Sequence, residues 1–120
     1  MFNRIDIISI PVKDQTASKK FYQDLPDFES AYEGQMGPDQ VWIQLRPSGA
    51  ETSITLVTWF EAMPAGSVQG LVLDTDDVEQ TRSKFIKNGL DISEVRKAPW
   101  GSFATFSDPD GNGWVLQQSR

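Results

Sequence analysis

The stretch Ser107-Asp108-Pro109-Asp110-Gly111-Asn112-Gly113-Trp114 lies near the end of the chain, and its interpretation decides the fold. Pro109 fixes its own φ angle, and Asp108 can hydrogen-bond the backbone that follows it. The pair Gly111-Asn112 tolerates positive φ. These properties predict a hairpin turn that joins the last two strands of the chain.

The sequence before this turn predicts a strand, a helix and then further strands. Leu71–Thr75 has the apolar composition of a strand. Asp77, followed three positions later by Gln80, is a capping pattern for a helix start. Asn88-Gly89 ends that helix, because glycine tolerates the left-handed conformation. The remaining strands of this half are predicted at Asp91–Val95, Ser102–Phe106 and Gly113–Gln118.

The first half of the chain has the same order of elements. Ile5–Val12 predicts a strand, Asp14 an N-cap, and Gln15–Leu25 a helix that Pro26 helps to end. Three further strands are predicted at Phe28–Glu33, Gln40–Leu45 and Thr52–Trp59, with turns at Gly34–Pro38 and Pro47–Gly49.

Short matching segments relate the two halves. Lys20-Phe21 matches Lys84-Phe85, Asp27-Phe28 matches Asp91-Ile92, and Leu56 matches Leu116. The spacing drifts by only about four residues, which is typical of a structural repeat. We therefore predict a single α+β domain of two tandem β-α-β-β-β modules, at about 1–60 and 68–120, with a connector at about 61–67. Chance similarity of two amphipathic helices is the alternative.

A resemblance to a known family rests on the turn at 107–114, the segment Val12-Lys13-Asp14 and the helical pair Phe21-Tyr22. With these features, the sequence resembles the vicinal oxygen chelate superfamily. This group contains glyoxalases, bleomycin-resistance proteins and extradiol dioxygenases. The resemblance covers about residues 5–118. It implies two curved mixed sheets around a cleft, and commonly a homodimer. It does not imply one reaction, because the fold hosts enzymes and pure drug binders.

The composition excludes several classes of protein. The net charge of −6 argues against nucleic-acid binding, which requires a basic surface, and argues weakly against binding to anionic membranes. Cysteine and histidine are both absent, so catalysis by Ser-His-Asp or Cys-His groups is excluded. We see neither a signal peptide nor a transmembrane segment, and we expect a cytoplasmic protein.

The resemblance places metal ligands at four positions, and this chain has unsuitable residues at each of them. The positions fall on Ile7, Thr55, Gly70 and Val115. Divalent metals require several converging carboxylate or imidazole donors. A shift of one residue along the strands does not supply such a set. We therefore expect no metal and no other cofactor.

Strand alternation predicts which side chains line the cleft, because every second residue shares a face. If Ile7 and Val115 point inward, then Ser9, Val57, Trp59 and Gln117 do so too, whereas Trp114 points toward the helices. Trp42 with Gln44, and Trp100 in its Pro-Trp-Gly turn, are further candidates. The expected ligand-binding set is Ile7, Ser9, Trp42, Gln44, Thr55, Val57, Trp59, Trp100, Phe103 and Gln117.

Aromatic walls with a few amides and hydroxyls suit a small molecule that is partly aromatic or cationic. The leading hypothesis is therefore a small-molecule binding protein of the bleomycin-resistance type. A metal-independent lyase or isomerase of the glyoxalase-like family is the alternative, with Glu33 or Tyr32 as its base. Glu29 and Glu33 are expected to share a face, about 13 Å apart. A third possibility is an interaction module whose cleft is filled by its own side chains.

Overall fold

The computed structural model describes residues 1–119 as two sheets and two helices. The elements are β1 (Ile7–Pro11), α1 (Gln15–Asp24), β2 (Phe28–Gly37), β3 (Gln40–Pro47), β4 (Ser53–Val57), β5 (Leu71–Asp74), α2 (Val78–Lys87), β6 (Arg96–Ala98), β7 (Gly101–Ser107) and β8 (Gly113–Ser119). Sheet one has the strand order β1-β4-β3-β2, and sheet two the order β5-β8-β7-β6. In each sheet the first pair is parallel and the others are antiparallel. The predicted α+β fold of two β-α-β-β-β modules is confirmed.

Both helices begin at the predicted aspartates. Asp14 accepts hydrogen bonds from the backbone N–H groups of Thr16 and Ala17, at 2.9 and 3.2 Å. Asp77 accepts one from the backbone N–H of Gln80, at 3.0 Å. These bonds satisfy donors that the first helical turn leaves without partners. Neither helix is long and apolar enough, within residues 1–119, to cross a membrane.

The two largest errors in the predicted strands concern β6 and β2. The segment 91–95 is not a strand, and pairing with β7 begins only at Arg96. The backbone N–H of Ser93 donates to the Thr105 carbonyl at 2.9 Å, but the returning bond from the Thr105 N–H goes to the Ser93 hydroxyl, at 2.8 Å, and not to a backbone carbonyl. β2 continues through the predicted turn as far as Gly37, because its hairpin with β3 turns at residues 38–39.

Each sheet has a helix face and an open face. Ile10, Leu45 and Leu56 point to the helix face of sheet one, and Phe106 and Trp114 to that of sheet two. All of these side chains belong to one hydrophobic core that joins the modules. Each open face therefore lies on the far side of its sheet from the core, and neither covers the other.

The turn after β7 holds the two modules together through a cluster that we call the clasp, formed by Tyr22, Asp108, Asn112 and Trp114. The Tyr22 hydroxyl donates to Asp108 Oδ2 at 2.8 Å and accepts from Trp114 Nε1 at 3.0 Å. Asn112 Nδ2 donates to Asp108 Oδ2 and to the Pro11 carbonyl, both at 2.8 Å. A helix and a strand end of module one are thereby bonded to the last turn of module two.

The clasp is buried and fully paired. Tyr22 and Asn112 are both 0% exposed, and no buried side-chain polar atom within residues 1–119 lacks a hydrogen-bond partner. Asp108 Oδ1 also accepts the backbone N–H groups of Asp110 and Asn112, as predicted for this turn. Burial, and then the nearby Asp108 carboxylate, raise the pKa of the Tyr22 hydroxyl. Tyr22 therefore remains a donor across the physiological pH range.

Replacing Tyr22 with Phe should destabilise the protein markedly. The Tyr22→Phe substitution keeps the ring but removes one of the donors to Asp108 Oδ2 and leaves Trp114 Nε1 without an acceptor. Each such unpaired buried group costs about 1–3 kcal/mol. We expect a loss of that size in the free energy of unfolding, measured by urea denaturation.

The matched control is Tyr32→Phe, since Tyr32 is 59% exposed and its hydroxyl lies outside the core. This change should stay within about 0.5 kcal/mol of the original protein. Equal unfolding free energies for the two variants would show that the clasp does not stabilise the fold.

Candidate functional site

The open face of sheet one carries a row of polar side chains. Ser9 of β1 is paired with Thr55 of β4, which is paired with Gln44 of β3, which in turn lies opposite Tyr32 of β2. Residues that are directly opposite in neighbouring strands share a face. The row therefore places hydroxyl, amide and phenol groups side by side across the whole sheet.

Gln44 is held at the centre of this face by its neighbours. Trp42 Nε1 donates to Gln44 Oε1 at 3.0 Å, and Gln44 Nε2 donates to the Ser53 hydroxyl at 3.0 Å. These bonds fix which end of the amide points toward which neighbour. Because the Gln44 amide nitrogen carries two hydrogens, it has one more hydrogen bond to give. Trp42 supplies an aromatic surface beside it.

The open face of sheet two is aromatic and aliphatic. Phe103 is paired with Gln117, and Thr105 with Val115, so these four side chains share this face. The Trp100 ring stacks on Phe103, with centroids 5.4 Å apart and an interplanar angle of 30°. Trp100 remains 49% exposed. The turn between β6 and β7 thus presents an aromatic pair to the outside.

Gly101 allows Trp100 to reach this position. It has a φ of 152°, and a Cβ at this residue would collide with the carbonyl oxygen of Gln118 in β8. Only glycine combines that backbone conformation with so close an approach between the strands. The predicted Pro-Trp-Gly turn therefore packs closely against sheet two, next to Phe103.

The predicted ligand-binding residues form two groups that one chain does not bring together. Ile7, Ser9, Trp42, Gln44, Thr55 and Val57 lie on the open face of sheet one, and Trp100, Phe103 and Gln117 on that of sheet two. Trp59 belongs to neither group by strand alternation, because β4 ends at Val57. Its ring packs against Phe60 instead, with centroids 6.3 Å apart.

The residues at the four family metal positions do not fit a metal ion. Ile7 and Val115 offer only hydrocarbon, and Gly70 has no side chain. Thr55 is 1% exposed, and its hydroxyl donates to the Ile43 carbonyl at 3.0 Å. Residues 1–119 contain no group of three or more acidic, histidine or cysteine side chains that could hold a metal.

A β-bulge in β2 determines which acidic side chains lie on the open face of sheet one. The register between β2 and β3 shifts between Ser30 and Tyr32, so Glu29 and Glu33 lie on opposite faces. The expectation that they share a face is wrong. Glu33 points to the helix side and forms an ion pair with Lys19 of α1 at 2.6 Å. Of the two bases considered, only Tyr32 lies on the open face.

A cavity of about 460 Å³ lies elsewhere, between β1 and β4 of module one and β5 and α2 of module two. Core residues such as Ile54, Trp114 and Leu116 form its floor. None of the ten predicted ligand-binding residues lines it. Its hydroxyl pair, Thr75 and Thr81, is already bonded internally at 2.7 Å. Asp27, Asp74 and Lys84 also line the cavity, whereas Trp42 and Trp100 lie on the open faces.

Local sequence patterns do not predict this cavity, because residues of both modules line it. The one local signal is the segment Leu25-Pro26-Asp27, which ends α1 and lines the cavity. Asp27 has a φ of 59°, a left-handed conformation that aspartate tolerates better than most residues. A proline after a helix predicts the turn but not the space beside it.

The fold and the arrangement of the open faces define the class of protein. Residues 4–116 match the family model described as the Glyoxalase/Bleomycin resistance protein/Dioxygenase superfamily. The chain belongs to this superfamily, and the resemblance to the vicinal oxygen chelate group is confirmed.

Individual relatives cover nearly the whole chain. It is similar to the crystal structure of TnmS3, an antibiotic binding protein from Streptomyces sp. CB03234, with a TM-score of 0.92, 39% identity, and 99% and 98% of the two chains covered. A superfamily member from Sphaerobacter thermophilus DSM 20745 has a TM-score of 0.87 and 27% identity, with 98% of each chain covered. The uncharacterized protein YetH of Bacillus subtilis (strain 168) is 34% identical, and the match covers 98% of this chain and 100% of YetH.

The register across the bulge places Glu29 beside Arg46, and this predicts how the Glu29 pKa responds to substitution. Arg46 Nε donates to Glu29 Oε2 at 2.7 Å, and this hydrogen bond, followed by that from the Ser48 hydroxyl, lowers the pKa of Glu29. The Arg46→Gln substitution should therefore raise the Glu29 pKa toward its ordinary value, measured by NMR titration. Lys19→Gln, which removes the partner of Glu33, should leave it unchanged. A Glu29 pKa that responds to Lys19 would contradict the register.

Proposed function

We propose that this protein binds a small, partly aromatic or cationic molecule between open faces of its sheets, without a catalytic metal. The observation that carries the proposal is the hydrogen-bonded chain Trp42–Gln44–Ser53 on one face, with the Trp100–Phe103 stack on the other. Aromatic walls with a few oriented polar groups are typical of ligand sites. They offer stacking and hydrogen bonds rather than metal-directed chemistry.

The comparison with TnmS3 supports the same proposal. That protein is described as an antibiotic binding protein, and its fold matches this chain along nearly its whole length. Antibiotics commonly combine ring systems with hydrogen-bonding groups, which the two open faces complement. We therefore propose a bleomycin-resistance-like role, in which binding sequesters the molecule.

A second copy of the chain completes the binding site in this proposal. Within one chain the open faces lie on opposite sides of the core, so a ligand on one face has no opposing wall. In a homodimer, the open face of module one can lie against that of module two of the partner. The edge strands β1 and β5 are paired on one side only, which leaves them free for such contacts. The inter-module cavity adjoins both of them.

Ligand binding should be detectable as thermal stabilisation. A ligand present at about 100 times its Kd stabilises the folded state by about 2.7 kcal/mol. We expect aromatic members of an antibiotic panel to raise the Tm by several degrees. Trp42→Ala and Trp100→Ala should each reduce the shift, because each removes an aromatic wall.

Two control variants locate the site. Ile86→Ala removes an exposed apolar side chain of α2 and should leave the shift intact. Ala50→Phe fills the inter-module cavity, which Ala50 lines, and should also leave it intact. A shift that Ala50→Phe abolishes and Trp42→Ala preserves would place the ligand in the cavity and contradict the open-face proposal.

The proposed homodimer predicts the mass of the protein in solution. Light scattering after size exclusion should give about twice the chain mass of 13.4 kDa. Val72 of β5 is 53% exposed and points to the open face of sheet two. Val72→Glu should shift the equilibrium toward monomer, whereas Ile86→Glu, on α2, should not. A monomeric mass for the unmodified protein at micromolar concentration would contradict the dimer.

A metal-independent lyase or isomerase is the second candidate function, and the position of Tyr32 favours it. The phenol lies in the row with Gln44 and Thr55, where it could exchange a proton with a bound molecule. Turnover that persists with a chelator and disappears in Tyr32→Phe would support an enzyme. Full turnover in that variant would remove Tyr32 as the base.

A further inference from the structure

One row of residues crosses the open face of sheet two and differs in chemistry from the face of sheet one. Asp74 of β5 is paired with Gln117 of β8, which is paired with Phe103 of β7, which lies opposite Arg96 of β6. The row therefore runs from a carboxylate through an amide and an aromatic ring to a guanidinium. Three strand spacings separate its ends, or about 14 Å between backbones.

Arg96 is available for a ligand. The ion pairs formed by residues 1–119 use Arg4, Lys19, Lys20 and Arg46 as their cations. Arg96 is exposed and belongs to none of them. Its side chain leaves β6 on the same face as Phe103, and the Trp100 ring is stacked on that Phe103. Arg96 thus shares its face with an aromatic platform.

We propose that the ligand of this open face is a planar aromatic molecule that carries an anionic group, which Arg96 binds. The inference rests on the proposed function and specifies its ligand. The aromatic body stacks against Trp100 and Phe103, while a carboxylate accepts two parallel hydrogen bonds from the guanidinium. A cationic or hydrogen-bond-donating group at the far end would lie toward Asp74.

The net charge of the chain does not oppose this assignment at ordinary ionic strength. The value of −6 is spread over the surface, and salt at about 0.15 M screens charges beyond about 8 Å. The contact between Arg96 and a bound anion is much shorter than that. The direct contact with Arg96 therefore determines which charge is preferred on the ligand group at this position.

Three probes of matched shape test the proposal: 2-naphthoate, its neutral amide 2-naphthamide, and the cation 2-naphthylmethylammonium. Calorimetric titrations at about 0.15 M salt should give a Kd for naphthoate about tenfold lower than that for naphthamide, a difference of ~1.4 kcal/mol. Arg96→Gln should abolish this preference, because it should weaken naphthoate binding more than naphthamide binding. Trp100→Ala should weaken both of these probes.

Lys97→Gln is the matched control, because it removes the same charge from the same strand. Lys97 is paired with Ser102 and so points to the opposite face from Arg96 and Phe103. The naphthoate preference should persist in this variant. Equal losses in Arg96→Gln and Lys97→Gln would show a general charge effect and overturn the assignment of Arg96.

The same titrations separate failure of this inference from failure of the proposed function. If naphthamide or the cation binds at least as tightly as naphthoate, and Trp100→Ala weakens that binding, the open face binds aromatic ligands and only the anionic assignment is wrong. If none of the three probes binds at millimolar concentration, both proposals are contradicted.

Discussion

The hydrogen bond between the buried Tyr22 hydroxyl and the Asp108 carboxylate is the contact on which the relation between the two modules depends. A carboxylate in the core is tolerated only where donors surround it, and Asp108 has donors from Tyr22, from Asn112 and from its own turn. Because one donor comes from α1 and the others from the last turn, the bonding requires the modules to meet at this place. A turn that is local in sequence thus determines a long-range contact.

The orientation of the sheets follows from the same contact. Once α1 is fixed against the last turn, Phe21 packs on Phe106 and Tyr22 on Trp114, with ring centroids 6.4 and 5.9 Å apart. The shared core buries the helix faces of both sheets, so the open faces point away from the core. A chain built in this way presents two open faces but does not close one over the other. In the proposed function, each open face therefore gains its opposing wall from a second copy.

Capping and turn rules, which act within a few residues, were sufficient to predict the helices and most of the strands. They did not predict the contacts that depend on a partner strand. Asp14, Asp77 and the turn after β7 act within a few residues, and their behaviour followed directly from the sequence. The bulge near Ala31 and the Ser93 bond to Thr105 depend on a partner strand, and no local pattern specified them. The bulge placed Tyr32, rather than Glu33, on the open face. Strand alternation is itself a local property, so the sequence predicts which of the candidate site residues share a face.

The two modules repeat one fold but present different chemistry. Sheet one offers an oriented amide with hydroxyl neighbours, whereas sheet two offers an aromatic stack between Arg96 and Asp74. Duplication supplies two equivalent sets of open-face positions, and in the proposed function those positions would select a ligand by shape, stacking and hydrogen bonding. A homodimer of such chains would combine one face of each kind in every site. The asymmetry between modules then becomes the source of specificity, because a ligand must satisfy an amide wall and an aromatic, charged wall at the same time.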